Sequence, residues 1–327
     1  MNRRAFIAGV AGTLVAAPAG AEDSRPPQQA KKVFRIGVLG VSSVATAGAL
    51  LHSLRERGYV EGANLVIEWR DAGGTPVQFD AFAAELVRLK VDVIVASVPA
   101  AILAAKKATA SIPIVMVNTP DPVQLGLVVS LGRPGGNVTG TTTLSADLSN
   151  KQLELLREAV PQAAKVAVLW NPSNPWHSLA LKGAEAAARS MSVEIRLIAV
   201  RGPEQLDDAF AIMTRERAAA LLVLADPMTF HHRARLAELA ARRRLPAMYG
   251  VRGYVEAGGL MSYWAHQAEI YGRAASYVDR ILRGAPPGDL PIEQPTRFEL
   301  VINLKTARTL GLTIPPSLLL RADEVIE

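Results

Sequence analysis

From residue 33 onward, short apolar runs alternate with longer stretches whose apolar residues recur every three to four positions. These are the signatures of buried strands and amphipathic helices. In the first half the pattern predicts strands at 33–39, 64–69, 91–96 and 112–117. Helices are predicted between them, one ending near Arg57, one at 76–89 and one at 100–108. The second is the clearest, with Phe79, Phe82, Ala83, Leu86 and Leu89 on one face. Strands separated by such helices call for a parallel sheet with right-handed crossovers, so this half reads as a Rossmann-like lobe.

The run Arg133-Pro134-Gly135-Gly136-Asn137 carries enough breakers to end one globular unit and begin another. Residues 139–143 are expected to form a strand crossing between units, with Gly135, Gly136 and Thr139 as hinge residues. The alternation then resumes, with helices predicted at 150–160, 175–190, 204–215 and 231–243 and strands at 166–170, 193–200, 219–224 and 245–248. A short strand at 260–262 leads through Ser262 and Tyr263, a second expected hinge, into a helix at 269–282. After Pro286-Pro287-Gly288 the pattern gives a strand at 298–302, a helix at 304–310 and a last strand or ordered coil at 322–326. The fold class is therefore α/β: two Rossmann-like lobes with parallel sheets joined by a hinge. The lobes are expected to be discontinuous, with 33–140 in the first, 141–260 in the second, 261–290 returning to the first and 291–327 recrossing to the second. The likeness between 58–62 (GYVEG) and 253–258 (GYVEAG) falls in different contexts and is read as coincidence.

Length agrees with this division, since 327 residues suit two domains of about 150 each. Residues 1–21 read as a secretory signal: Arg3 and Arg4, an apolar run over 6–17, then Ala19-Gly20-Ala21, with cleavage expected between Ala21 and Glu22. The apolar run is too short to span a bilayer. Arg3-Arg4-Ala5-Phe6-Ile7 is similar to the twin-arginine export motif, with the general secretory pathway as the alternative. Residues 22–32 are polar and rich in Pro and Gln, the composition of a disordered lead-in. The net charge is +6, and without Arg3 and Arg4 the balance is 34 basic against 30 acidic residues, or +4. That is too dispersed to point to nucleic acid. There is no cysteine, so the chain forms no disulfide even at an oxidising destination and offers no thiol for lipid anchoring. A soluble periplasmic protein is expected.

Open α/β sheets place ligands at the carboxyl ends of their strands. In the first half those ends carry Ser42-Ser43, Ser97-Val98-Pro99-Ala100 and Asn118-Thr119-Pro120-Asp121. The first two open helices, whose N-termini suit an anion such as a carboxylate, although Ser43 and Ser97 can equally be simple helix caps. In the second half the ends carry Trp170-Asn171, Ala225-Asp226-Pro227 and Tyr249-Gly250. Asp226 can receive an amino group or merely open a turn, and Trp170 and Tyr249 can line an apolar pocket. The chain contains no GxSxG, GxxxxGK[ST] or GxGxxG sequence. Its five histidines show no metal-ligand spacing, and no nucleophile–base pair is recognisable. An exported, two-lobed chain with ligand loops and no catalytic constellation reads as a binding protein without cofactor or metal, not as an enzyme.

Several stretches together resemble the ABC-transporter substrate-binding proteins that include tryptophan and tyrosine binders. They are 58–62, 84–97 (AELVRLKVDVIVAS), 112–121, 131–140, 258–263 (GGLMSY), 293–311 (EQPTRFELVINLKTARTLG) and 320–327 (LRADEVIE), and they run through essentially the whole chain after residue 33. The resemblance implies a type I periplasmic-binding fold, no enzyme activity, and lobes that close on a small molecule for delivery to a membrane permease with its ATPase; a monomer is expected. An exported sensor that docks a membrane receptor is the alternative. The resemblance also implies that Ser97, Val98, Ala100 and Thr119, with Ser42 and Ser43 nearby, hold a carboxylate. Asp226 matches the position that takes an amino group, and the sequence departs from the pattern directly after it, at Pro227-Met228.

Overall fold

The computed structural model describes residues 32–327 apart from 41–43, 73–75, 144 and 175. The expected leader with Ala21 and Glu22, and the pair Ser42 and Ser43, lie outside the described residues. Strands β1 (Phe34–Gly40), β2 (Leu65–Asp71), β3 (Val93–Ser97), β4 (Ile114–Pro120) and β5 (Val138–Thr143) form one sheet in the order β2-β1-β3-β4-β5. Every pairing in it is parallel. Helices α1 (Val44–Glu56), α2 (Phe79–Arg88) and α3 (Pro99–Ala108) connect these strands. Each strand presents apolar residues to both sides. Val93 and Val95 of β3, with Val115 and Val117 of β4, enter the core under α1. Ile94, Ala96, Ile114 and Met116 enter the core under α2 and α3. A sheet covered on both faces demands such continuous apolar runs, which is why they stand out in the sequence.

The second half is built in the same way. Its elements are α4 (Ser145–Ala159), β6 (Lys165–Trp170), α5 (His177–Ser190), β7 (Glu194–Ala199), α6 (Leu206–Arg215), β8 (Ala220–Val223), α7 (Pro227–His231), α8 (Arg233–Arg242), β9 (Ala247–Tyr249) and α9 (Gly253–Glu256). They continue with β10 (Met261–Ala265), α10 (Gln267–Leu282), β11 (Phe298–Asn303), α11 (Leu304–Leu310), α12 (Pro316–Leu319) and β12 (Glu324–Ile326). The second sheet runs β12-β11-β10-β9-β8-β6-β7, parallel except for β10 against β11. That antiparallel pair follows from the path of the chain. It leaves the sheet after β10, adds α10 to the first lobe's core through Ile270, Ala274, Tyr277 and Val278, and re-enters from the opposite direction.

Several sequence expectations are corrected. The strand read as a crossing, 139–143, is the edge strand β5, paired with β4. The chain therefore passes to the second lobe after Thr143, not at Gly135 and Gly136. Gly135 donates its N–H to Gly288 O at 3.1 Å and Thr139 donates its hydroxyl to Leu290 O at 2.7 Å, contacts that lie wholly within the first lobe. Met261–Ala265 belongs to the second sheet, not to the return segment, because Met261 and Ser262 pair with β9 and the whole strand with β11. The helix expected at 231–243 starts earlier and breaks at His232, whose backbone leaves the helical region at φ −97° and ψ 23°. The single-turn helices α9 and α12 were not foreseen.

The passages between lobes lie side by side. Glu293 donates its N–H to Gly140 O at 3.1 Å and receives the Thr142 N–H at 2.9 Å, while His266 donates to Arg297 O at 3.0 Å. The end of β5, the passage after β10 and the passage before β11 are thus laced together by backbone hydrogen bonds.

Candidate ligand-binding cleft

A cavity of about 170 Å³ lies between the lobes. The first lobe lines it with Ser97 at the end of β3, Val98 and Pro99 at the start of α3, Val117 and Pro120 of β4, and Gln267, Ile270 and Tyr271 of α10. The second contributes Asn174 and Trp176 before α5, Ala225, Asp226, Pro227 and Phe230 at α7, Val251, Tyr254 of α9 and Trp264 of β10. Both walls are thus built from strand ends and the helices that follow them, the place where open α/β sheets leave a crevice.

Backbone geometry sets the first wall. Val98 adopts φ 73° and ψ 141° as it enters α3, a conformation uncommon for a β-branched residue, and it turns the chain sharply at the cleft. Gly40 permits the approach of β1, since a Cβ there would lie 2.0 Å from Ser97 Oγ and 2.8 Å from Ser97 O. Pro99 is the first residue of α3, so Ala100 and Ala101 N–H, which follow it, have no acceptor within the helix.

The second wall is organised by Asp226, which is only 5% exposed. It caps α7, accepting the Met228 N–H on Oδ1 at 3.0 Å. Asn171 Nδ2 donates to both carboxylate oxygens, at 3.4 and 3.2 Å, and Asn174 Nδ2 donates to Oδ2 at 2.9 Å. Both amides are oriented by their carbonyls, which accept the backbone N–H of Ser173 at 2.9 Å and of Trp176 at 3.1 Å. Beneath them His177 is fully buried. Its Nδ1 accepts the Asn171 N–H at 2.7 Å and its Nε2 lies 3.1 Å from Ala225 O. Since Nδ1 must accept and a carbonyl can only accept, the ring is the neutral Nε2–H tautomer. Burial pushes its pKa below the ordinary histidine value, against the opposing charge of Asp226.

Aromatic rings supply most of the remaining surface. Trp176 meets Trp264 edge-on at 5.4 Å and Phe230 meets Tyr254 edge-on at 5.6 Å. The Tyr254 hydroxyl is 2.7 Å from Thr229 Oγ1, and its burial pushes the phenol pKa well up. Neutral rings with satisfied hydroxyls offer faces for apolar contact and edge-to-face packing.

Of the residues singled out from the sequence, Ser97, Val98 and Asp226 meet at this cavity. Asn171 acts behind it through Asp226. Ala100 packs against the first lobe's core, and Thr119 is fully buried with its hydroxyl unpartnered. Asp121 accepts the Gln124 N–H at 3.1 Å, closing its own turn. Trp170 packs into the second lobe's core. Tyr249 lies wholly buried under Tyr254, stacked at 4.9 Å, where an apolar strand end facing the core was mistaken for one facing the cleft. Ser262 is buried in β10, and Tyr263 stacks on Phe298 at 5.6 Å. The sequence reading missed Trp176, Phe230, Tyr254, Trp264 and the α10 residues. Trp176, on the stretch that follows the strand end Trp170-Asn171, was the most accessible signal. Among the described residues no cluster of His, Asp or Glu is placed to hold a metal ion.

The comparisons with known proteins agree with this architecture. A tyrosine-binding protein of Clostridioides difficile (strain R20291) is 27% identical over 263 residues, which cover 80% of this chain and 75% of the relative. The crystal structure of an ABC domain in complex with L-Trp from Streptococcus pneumonia superposes with a TM-score of 0.83 at 25% identity, covering 90% of this chain and 100% of that one. A leucine-binding protein of Thermotoga maritima shares the fold at 13% identity, with a TM-score of 0.60 over 77% of this chain and 83% of its own. The two parallel-sheet lobes are the type I periplasmic-binding-protein fold. The model of the ABC transporter substrate binding protein family matches residues 37–326, nearly the whole described chain, and the chain belongs to that family.

Proposed function

We propose that this protein is the exported binding component of an ABC importer, closing its lobes on a small molecule with an aromatic body and presenting it to a membrane permease and its ATPase. The observation that carries this reading is a cavity shared by both lobes, lined largely by apolar and aromatic side chains with a few fixed polar groups, the composition of a small-molecule site. The ligand class is an amino acid or an aromatic or carboxylate compound, as the names of the tyrosine-binding relative and the L-Trp complex suggest. The site binds and releases without a reaction. In this reading Ser97 and the α3 N-terminus hold the polar end of the ligand, and the three passages between lobes are the hinge. The basic and apolar start of the chain supports export to the periplasm.

Thermal unfolding with tyrosine, tryptophan, phenylpropionate-type acids, leucine and sugars tests this proposal. A ligand present at about 100 times its Kd stabilises the folded state by about 2.7 kcal/mol. Aromatic compounds are expected to raise the transition temperature and to contract the particle in small-angle scattering. No response to any aromatic compound would sink the ligand class, and binding without contraction would sink the closure.

A further inference from the structure

We infer that Trp264 couples occupation of the cleft to closure of the lobes, as a positioning residue whose ring is covered jointly by a planar apolar ligand and by the first lobe. This rests on the cleft reading above and deepens it. Trp264 belongs to β10 of the second sheet, where it pairs with Glu299 of β11. Its side chain nevertheless packs against the cores of both lobes, the second lobe's and the first lobe's. The other aromatic residues that line the cavity each pack within one lobe: Trp176, Phe230 and Tyr254 in the second and Tyr271 in the first.

The ring is carried by the second lobe. Trp176 meets it edge-on at 5.4 Å, and Gly250 stands beside it, a Cβ there lying 3.4 Å from Trp264 Cε3. One residue earlier Tyr263 stacks on Phe298, and two residues later His266 donates its N–H to Arg297 O. The ring therefore sits where the chain begins its passage to α10. The first lobe meets it with the core that contains Ile270 and Tyr271, which also line the cavity. Trp264 is half-buried and borders the cavity, so a ligand there covers surface that neither core covers. The consequence is thermodynamic. A ligand shifts a conformational equilibrium only by its difference in affinity for the two states. On an open cleft, a ligand resting on Trp264 leaves the first-lobe side of the contact in water. Closing buries ring and ligand together, and burial of apolar surface is favourable. Trp176, Phe230 and Tyr254 supply less of this difference, because their packing within one lobe is kept whether the lobes are open or shut.

Titration calorimetry and small-angle scattering on the purified protein with tryptophan, tyrosine and indole-3-acetate test this assignment. In Trp264→Leu, the probes that the wild-type protein binds are expected to weaken by at least about tenfold. At saturation the same variant is expected to contract by less than about half of the wild-type change in radius. Trp176→Leu, which removes a cavity ring packed within one lobe, is expected to weaken binding but to keep the full contraction at saturation. Contraction of Trp264→Leu as far as the wild type overturns the coupling role and leaves the cleft standing, as does an equal loss of contraction in Trp176→Leu. Trp264→Phe keeps a smaller ring and carries the test where the leucine variant is unfolded by circular dichroism or cannot be saturated. Reduced contraction in it supports the inference, and wild-type affinity with wild-type contraction overturns it. Failure of every probe to contract the wild-type protein overturns the closure reading itself, and this inference with it.

Discussion

His177 shows how much one side chain can be asked to hold. It joins the strand end at Asn171 to the one at Ala225 through both ring nitrogens, and it does so only when neutral, because the Asn171 N–H needs a bare Nδ1. Its folded-state pKa is lowered by burial, so the unfolded chain takes up the proton first as pH falls. The sign follows: the stability tied to the neutral ring is complete above an unfolded pKa of about 6.5 and is lost as pH falls below it toward the folded value. Urea unfolding at pH 7, 6 and 5 is expected to show a decline of up to about 1.4 kcal/mol per pH unit from this one group. His177→Ala should remove that part of the decline and lower stability at pH 7 by about 1–3 kcal/mol through the unsatisfied Asn171 N–H and Ala225 carbonyl. An unchanged pH dependence would refute the tautomer assignment. At this scale the sequence was legible where polar residues interrupt an apolar strand, as at Ser97 and Asp226. It was not legible where a side chain's direction decides, as for Tyr249 and Trp176, since a strand end or a helix start can face either core or cleft.

Among the elements, the pairing of β4 with β5 is the least forgiving. Gly140 has φ 131°, and a Cβ there would meet Met116 O at 2.1 Å and Met116 N at 2.8 Å. The register also shifts between Met116 and Thr119, as at a β-bulge. Gly140→Ala has to push the two strands apart and is expected to cost about 2–5 kcal/mol, read from the midpoint of urea unfolding. A loss below about 0.5 kcal/mol, the size of a neutral surface change, would contradict the close approach. Element type and order came from periodicity because strands covered on both faces must be apolar throughout. Short elements escaped it. The four-residue helices α9 and α12 are too brief to show a period, and the break at His232 has no proline or glycine beside it to mark it in the sequence.

For the whole molecule, the passages between lobes carry a polar lock of their own. Glu269, in the first turn of α10, accepts from Arg273 at 3.0 and 2.8 Å and from the backbone N–H of Thr296 and Arg297 at 3.2 and 3.0 Å. Arg273 also pairs with Glu293. Burial alone would raise the Glu269 pKa, but the hydrogen bonds from Thr296 and Arg273 outweigh it and push the carboxyl down to about 2. The lock is therefore complete above an unfolded value of about 4.5 and lost as pH falls from there toward about 2. Glu269→Gln is expected to lower stability by about 1–3 kcal/mol at pH 7, the deficit shrinking below pH 4.5 in urea titrations. A pH-independent deficit would contradict the charge-based account. Hydrophobic periodicity by itself determined that two α/β lobes would form and roughly where each strand lies, because burying both faces of a sheet leaves a pattern along the chain. It also flagged the polar strand ends from which part of the cleft is made. Only the tertiary structure decided where the chain crosses between lobes, which aromatic rings face the cavity, and that Asp226 is held by two asparagines over a buried histidine. Those outcomes depend on contacts between residues such as Gly140 and Glu293, or Asn171 and Asp226, that are far apart in sequence and leave no local period to read.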